Sequence, residues 1–243
     1  MDIAHRGRRT ALLDLDGTLV DSAMLITEHL AAALVEVGAP RFRPDQLRPL
    51  VGPPFEEALP ALGLSPAQTA AAIVAYRSSY DRVAATHTPL FPGVPALLER
   101  LTAGGLRLAV ATSKPESTAR SIVTGLGIDA HFAVVGGADH VGGRVGKAAV
   151  IGSVLQRLAL DPRREPVLMV GDRHHDVDGA AEFGMPTIGV AWGYAEPGEL
   201  RGAHLVVSEL DELAALLTSD AIWTRTPAPN PDVIGIGPQR LGS

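Results

Sequence analysis

The chain has 243 residues, 46% of them hydrophobic and only 4% aromatic, so a sizeable core must be built mainly from Ala, Leu and Val. A formal charge of −6 with no run of like charges argues against a nucleic-acid polymer as partner, since such a binder needs a basic face to displace counterions. There is no cysteine, which excludes disulfides and thiolate metal sites, and no apolar run approaches the length of a membrane span.

The N-terminal MDIAHRGRRT is polar and basic with no apolar stretch behind it, so a cytoplasmic protein with no membrane partner is the expectation. Residues 10–15, TALLDL, read as a buried strand ending in a carboxylate loop. Residues 21–91 are helical in pattern: Ser22 is a candidate N-cap for a helix running toward Gly38, a second helix follows Pro53-Pro54, and Ser65-Pro66 start a third that runs to about Val83. After Pro92-Gly93 the pattern alternates. Helices are expected at 94–103, 116–125, 147–159 and after 172, with a last one ending near Leu217. Strands are expected at 106–112, 132–137, 166–172, 186–192 and 204–208. Such alternation predicts an α/β fold: a parallel sheet covered on both faces. The helical block interrupts its first β–α unit and reads as an inserted cap. The organisation is thus a core over 1–20 and 92–218, an α-helical cap over 21–91, and a loose tail over 219–243, where four Pro and three Gly accumulate.

In an open parallel sheet, ligands bind beyond the C-terminal ends of the strands. Those ends carry Asp14-Leu15-Asp16-Gly17-Thr18, Thr112-Ser113-Lys114, and Gly171-Asp172 with Asp176 one turn on; Lys147 begins the helix at 147. A D-x-D pair alone is common in turns, but here it closes an apolar strand and faces three other polar segments. Three carboxylates near one point do not all stay ionised without a cation. Mg²⁺ suits them, with Asp14 and Asp172 binding directly, the Asp16 carbonyl adding an oxygen, and Asp176 binding directly or through a water. Of 21 basic residues 19 are Arg, so Lys114 and Lys147 are either chance survivors of a bias toward Arg or places where a compact ammonium is wanted in preference to a guanidinium fork.

D-L-D-G-T-L after one strand, A-T-S-K-P after another, a downstream lysine and V-G-D-x-x-x-D together resemble the haloacid dehalogenase (HAD) superfamily of phosphotransferases, over roughly residues 10–217. The position of the cap and the form M-V-G-D-R-H-H-D are similar to its phosphoglycolate phosphatase and 5′-nucleotidase branch. The resemblance implies a Rossmann-like core and a Mg²⁺-dependent phosphatase acting on a small phosphate ester. It implies Asp14 as nucleophile, Asp16 as acid and base, and Lys147 as the charge-neutralising lysine. Thr112 and Ser113, with Gly17 and Thr18, would hold the phosphate, and Asp14, Asp16 and Asp172 the metal. A mutase or transferase, and a catalytically silent binding module, are the alternatives. The motifs name neither the substrate nor a protein partner.

Other features are given plainer readings. His174-His175 lack a third ligand at zinc spacing, and Arg173 reads as a salt-bridge partner. The Gly142–Lys147 run fails the P-loop spacing, with Val141 where a Gly is required. Gly52, Pro53, Phe55, Arg77 and Tyr80 are candidates to face the substrate, with a helix boundary as the equal alternative.

Overall fold

A computed structural model describes residues 8–224 of the chain. Six parallel strands form one sheet in the order β3-β2-β1-β4-β5-β6. They are β1 (Thr10–Leu13), β2 (Arg107–Pro115), β3 (Phe132–Ala138), β4 (Val167–Gly171), β5 (Thr187–Val190) and β6 (Leu205–Val207). The order reverses between β1 and β4, which is the switch point where a doubly wound sheet opens a crevice.

Apolar residues occupy both sides of β1 because both sides are covered. Ala11 and Leu13 join the larger core, with Leu98 and Leu101 of α6 (Val94–Ala103) and Leu213 and Leu217 of α10 (Leu210–Thr218). Leu12, Ala109, Ala111 and Met169 pack on the other side against Val150, Ile151 and Val154 of α8 (Lys147–Leu158) and Ala180 of α9 (His174–Ala181). With period-two alternation in the strands, this two-sided apolar pattern is what a parallel sheet between helical layers requires.

Between β1 and α6 lie five α-helices, α1 (Ala23–Glu36), α2 (Pro44–Leu47), α3 (Phe55–Ala58), α4 (Pro66–Tyr80) and α5 (Ala84–His87), with short 3-10 turns at Arg48–Leu50 and Leu59–Leu62. Ser65 and Gln68 cap α4 reciprocally, Gln68 N–H donating to Ser65 Oγ at 3.3 Å and Ser65 N–H to Gln68 Oε1 at 3.1 Å. Ile26, Leu30 and Leu34 of α1 pack with Ala72, Ile73, Tyr76 and Tyr80 of α4 in the larger core. The chain enters and leaves this block side by side: Asp21 N–H donates to Pro89 O, Phe91 N–H to Leu19 O, and Val20 and Leu90 form an antiparallel bridge.

Three local readings differ from expectation. α2 and α5 are single-turn helices of four residues, too short to show a period. β2 runs on through Thr112, Ser113 and Lys114, with a register shift between Ala111 and Pro115 against β3; such an irregularity re-aims side chains at a strand end. Ser22 is the N-cap residue of α1, but its hydroxyl makes no capping bond and turns instead to Asp16. Of the expected tail, residues 219–224 include α11 (Ala221–Thr224) with Ile222 buried, and the remainder lies outside the described residues.

Candidate active site

Asp14 follows β1, and its N–H donates to Val170 O of β4 at 2.9 Å, which fixes it at the switch point. Its Oδ1 accepts the Leu15 N–H at 2.8 Å and pairs with Lys147 Nζ at 2.9 Å. Lys147 opens α8, and its buried ammonium also reaches Asp176 Oδ1 at 2.7 Å and Ala111 O at 3.0 Å. One compact cation thus meets three partners from three segments, a geometry that the planar fork of an arginine does not reproduce.

Asp172 follows β4 and is fully buried. Its Oδ1 accepts from Thr18 Oγ1 at 3.1 Å and its Oδ2 from the Tyr194 N–H at 2.8 Å. Gly17 has φ +79°, and a Cβ there would fall 2.1 Å from Asp172 Oδ2, so the carboxylate comes this close only because residue 17 has no side chain. Thr18 and Gly17, expected beside phosphate, are therefore turned to Asp172 and shape its seat.

Carboxylate oxygens of Asp14, Asp172 and Asp176 lie within 4.8 Å of one another. Burial, then the charge of Asp176, pushes the Asp14 carboxyl up to about 6 despite Lys147. Burial and the neighbouring acids Asp14 and Asp176 likewise raise Asp172 well above the carboxylate range. Three buried acids face one ammonium, so a further positive charge is favoured there. Hard oxygen donors without nitrogen or sulfur suit Mg²⁺. Among the described residues His174 and His175 belong to no such grouping. His174 Nδ1 lies 2.6 Å from Glu199 Oε1, and the two imidazoles meet edge-on with centroids 3.9 Å apart.

Asp16 lines a cleft together with Asp14. Its Oδ1 accepts from Ser22 Oγ at 2.5 Å and its Oδ2 pairs with Lys114 Nζ at 3.2 Å. Lys114 donates to Tyr80 Oη at 3.1 Å, and its ammonium lies 4.6 Å from that ring's centroid. Burial opposes the charge, but Asp16 and Tyr80 hold the Lys114 ammonium well above the usual lysine range. The cleft is lined from the core by Asp14, Asp16, Thr112, Ser113, Lys114 and His140, and from the helical block by Val51–Glu56, Tyr76, Arg77 and Tyr80. Gly52, Pro53, Phe55, Arg77 and Tyr80 therefore do face it.

A family model described as haloacid dehalogenase-like hydrolase matches residues 11–190. The chain belongs to the haloacid dehalogenase-like hydrolases. It is 36% identical over 206 residues to a 5′-nucleotidase of Pseudomonas aeruginosa, covering 84% of this chain and 92% of that one. It is 46% identical over 183 residues to the tyrosine-protein kinase PtkA of Mycobacterium tuberculosis, covering 75% of this chain but 62% of PtkA, so the match spans less than two thirds of that relative. The crystal structure of a "predicted phosphatase" from Clostridium acetobutylicum superposes with a TM-score of 0.81 at 30% identity, covering 86% of this chain and 98% of the other.

Tyr194 and Glu199, both in the loop after β5, belong to no recognisable motif, although they too follow the C-terminal end of a strand. Tyr194 ties Asp172 to the start of the helical block: its hydroxyl accepts the Ala23 N–H at 3.0 Å and donates to Asp21 Oδ1 at 3.0 Å. Among the described residues, no helix is long and apolar enough to cross a membrane.

Proposed function

We propose that this HAD hydrolase is a Mg²⁺-dependent phosphomonoesterase for a small phosphorylated metabolite, phosphoglycolate-like or a nucleoside monophosphate, acting through a phosphoaspartate on Asp14. The observation that carries the reading is the convergence of Asp14, Lys147, Asp172 and Asp176 at a cleft that Asp14 and Asp16 both line. Residues 21–91 are read as the cap, closing over the leaving group, and the enzyme as cytoplasmic.

Both close contacts of Asp14 fall on Oδ1, so Oδ2 is the oxygen we assign to attack on phosphorus. As that bond forms, the P–O bond to the leaving group breaks and Asp16 gives its proton to the departing oxygen. Asp16 then takes a proton from water, whose oxygen attacks phosphorus, releasing phosphate and restoring Asp14. A covalent intermediate divides one difficult step into two. Lys147 holds Asp14 in place and offsets the charge that gathers there. Thr112 and Ser113, at the re-aimed end of β2, line the cleft where the phosphoryl oxygens would lie. Asp14, Asp172, Asp176 and the Asp16 carbonyl would hold Mg²⁺, which when bound supplies positive charge to the phosphoryl group.

Asp16→Asn tests the division of labour. Nitrophenolate departs without a proton, so p-nitrophenyl phosphate should still give a burst of about one equivalent of nitrophenol per site, followed by steady turnover reduced about 10²–10⁴-fold, the usual worth of a positioned acid or base. Undiminished steady turnover would remove Asp16 from the mechanism.

The acid limb tests the metal reading. Asp14 attacks as a carboxylate and its pKa is raised, so at low Mg²⁺ kcat/KM should fall as pH drops through about 6. Saturating Mg²⁺ favours the ionised form and should move that limb to lower pH; a limb indifferent to Mg²⁺ would count against a metal on Asp14. Stability has the opposite sign to activity. The favourable contribution of the raised Asp14 is complete below its unfolded value near 3.8 and is lost as pH rises through about 6.

The likeness to PtkA favours one second reading, in which the phosphoaspartate passes phosphate to a protein hydroxyl. A panel of phosphoglycolate, nucleoside monophosphates, sugar phosphates and phosphotyrosine, scored for free phosphate against phosphate retained on an acceptor, separates the two.

A further inference from the structure

Arg173 carries a charge yet is only 7% exposed, and the chemistry above does not use it. It follows Asp172 directly and forms the N-cap of α9, its own N–H donating to Asp176 Oδ2 at 3.0 Å. Its side chain leaves the catalytic core. Nε donates to Glu199 Oε1 at 2.6 Å, while Nη1 donates to the carbonyl of Val51 in the helical block. Glu199 is itself fixed, because its Oε2 accepts the Glu196 N–H at 2.8 Å within the same turn. Despite partial burial, hydrogen bonds from Glu196 N–H, Arg173 and His174 hold its carboxyl down to about 2, so it is a permanent anion at neutral pH.

The loop that Arg173 reaches is shaped around it. Gly52 has φ +115°, and a Cβ there would lie 2.9 Å from Nη1 and 3.5 Å from Cγ of Arg173. Val51, Gly52, Pro53, Pro54 and Phe55 all line the cleft, as do Thr112 and Lys114. A bidentate guanidinium spanning a fixed carboxylate and a carbonyl of the helical block is a task for arginine, since a lysine offers one point charge for two separated acceptors.

We propose that Arg173 is a positioning residue: anchored on Glu199, it latches the 51–55 loop of the cap against the core and so sets how closely the enzyme grips the leaving group. The inference rests on the reading that an ester occupies this cleft, with its leaving group against 51–55. It makes Arg173 a determinant of substrate fit that acts through the loop and touches no reacting atom.

Arg173→Lys keeps the charge beside Asp172 and Asp176 while giving up one of the two donors. In the full-length enzyme with Mg²⁺, KM for an alkyl phosphate that the wild type turns over should rise about tenfold, the scale of one charge-assisted hydrogen bond, with a much smaller change in kcat. Selectivity between small and bulky leaving groups should weaken. Hydrogen exchange at the amides of Val51, Gly52 and Phe55 should quicken by a similar factor, while β1 and β4 stay protected. Glu199→Gln, which removes the anchor's charge but keeps its shape, should move KM and exchange in the same direction. Wild-type KM and exchange in both variants would overturn the latch. So would a fall in kcat with unchanged KM and a higher Mg²⁺ requirement, because Arg173 would then be acting through Asp172. A wild-type enzyme inert toward every ester would defeat the phosphatase reading instead, and the exchange measurement would still decide the latch.

Discussion

Asp14→Asn is expected to lower Mg²⁺-dependent hydrolysis of p-nitrophenyl phosphate by at least about 10⁴-fold, the scale on which losing a covalent nucleophile acts. The magnitude discriminates between roles. Were Asp14 only one oxygen around a metal, or only a support for another ligand, the loss would be nearer about 10–100-fold. Stability should move the other way. The exchange removes one of three crowded acids, keeps the side chain's shape, and leaves Lys147 paired with Asp176. The thermal midpoint should therefore hold or rise, so that lost activity does not reflect unfolding. Acid quenching after a pulse of labelled ester should trap phosphate on the wild type and none on the variant. A variant that still forms labelled protein would place the nucleophile elsewhere.

Lys147→Met is expected to damage both stability and rate. Its ammonium is the shared partner of Asp14 and Asp176, and its loss leaves buried acids uncompensated, a change that costs about 3–5 kcal/mol when a buried pair is broken from one side. Urea midpoints at pH 7 should fall accordingly. Much of the loss should return near pH 5, where a proton on Asp14 replaces the missing charge. Turnover should drop about 10²–10³-fold, as when a preorganised charge at a developing anion is deleted. Lys147→Arg should recover little, because three oxygens converge on Nζ at 2.7–3.0 Å. Full turnover in either variant would make Lys147 a structural lysine only.

Much of this architecture was readable because its signals are local. The strand-end segments at Asp14, Thr112 and Asp172, and the lysine opening a helix at 147, lie where apolar runs stop, and a parallel sheet gathers such ends on one edge. What was not readable depends on contacts between distant segments. Ser22 has the composition of a helix cap, and nothing nearby in sequence reveals that its hydroxyl turns to Asp16. Thr18 stands in a phosphate-loop pattern yet spends its hydroxyl on Asp172, 154 residues away. The extension of β2 through Lys114 comes from pairing with β3, and residues 112–115 alone carry no strand alternation. The salt-bridge partner that the sequence predicts for Arg173 is Glu199; its second bond, to the Val51 carbonyl, involves a backbone group that no side-chain pattern encodes.

The bridge between Val20 and Leu90, with Asp21 tied to Pro89 and Leu19 to Phe91, closes the helical block at its neck. A chain that departs and returns through one neck can exchange everything between the two crossings without altering the sheet register beyond it. Chimeras cut at 20 and 90 should thus keep Asp14, Lys147 and Asp172 in place while accepting a foreign roof. Duplication and drift in such a gene can then remodel what the cleft admits while the carboxylates and the lysine at the sheet edge stay fixed.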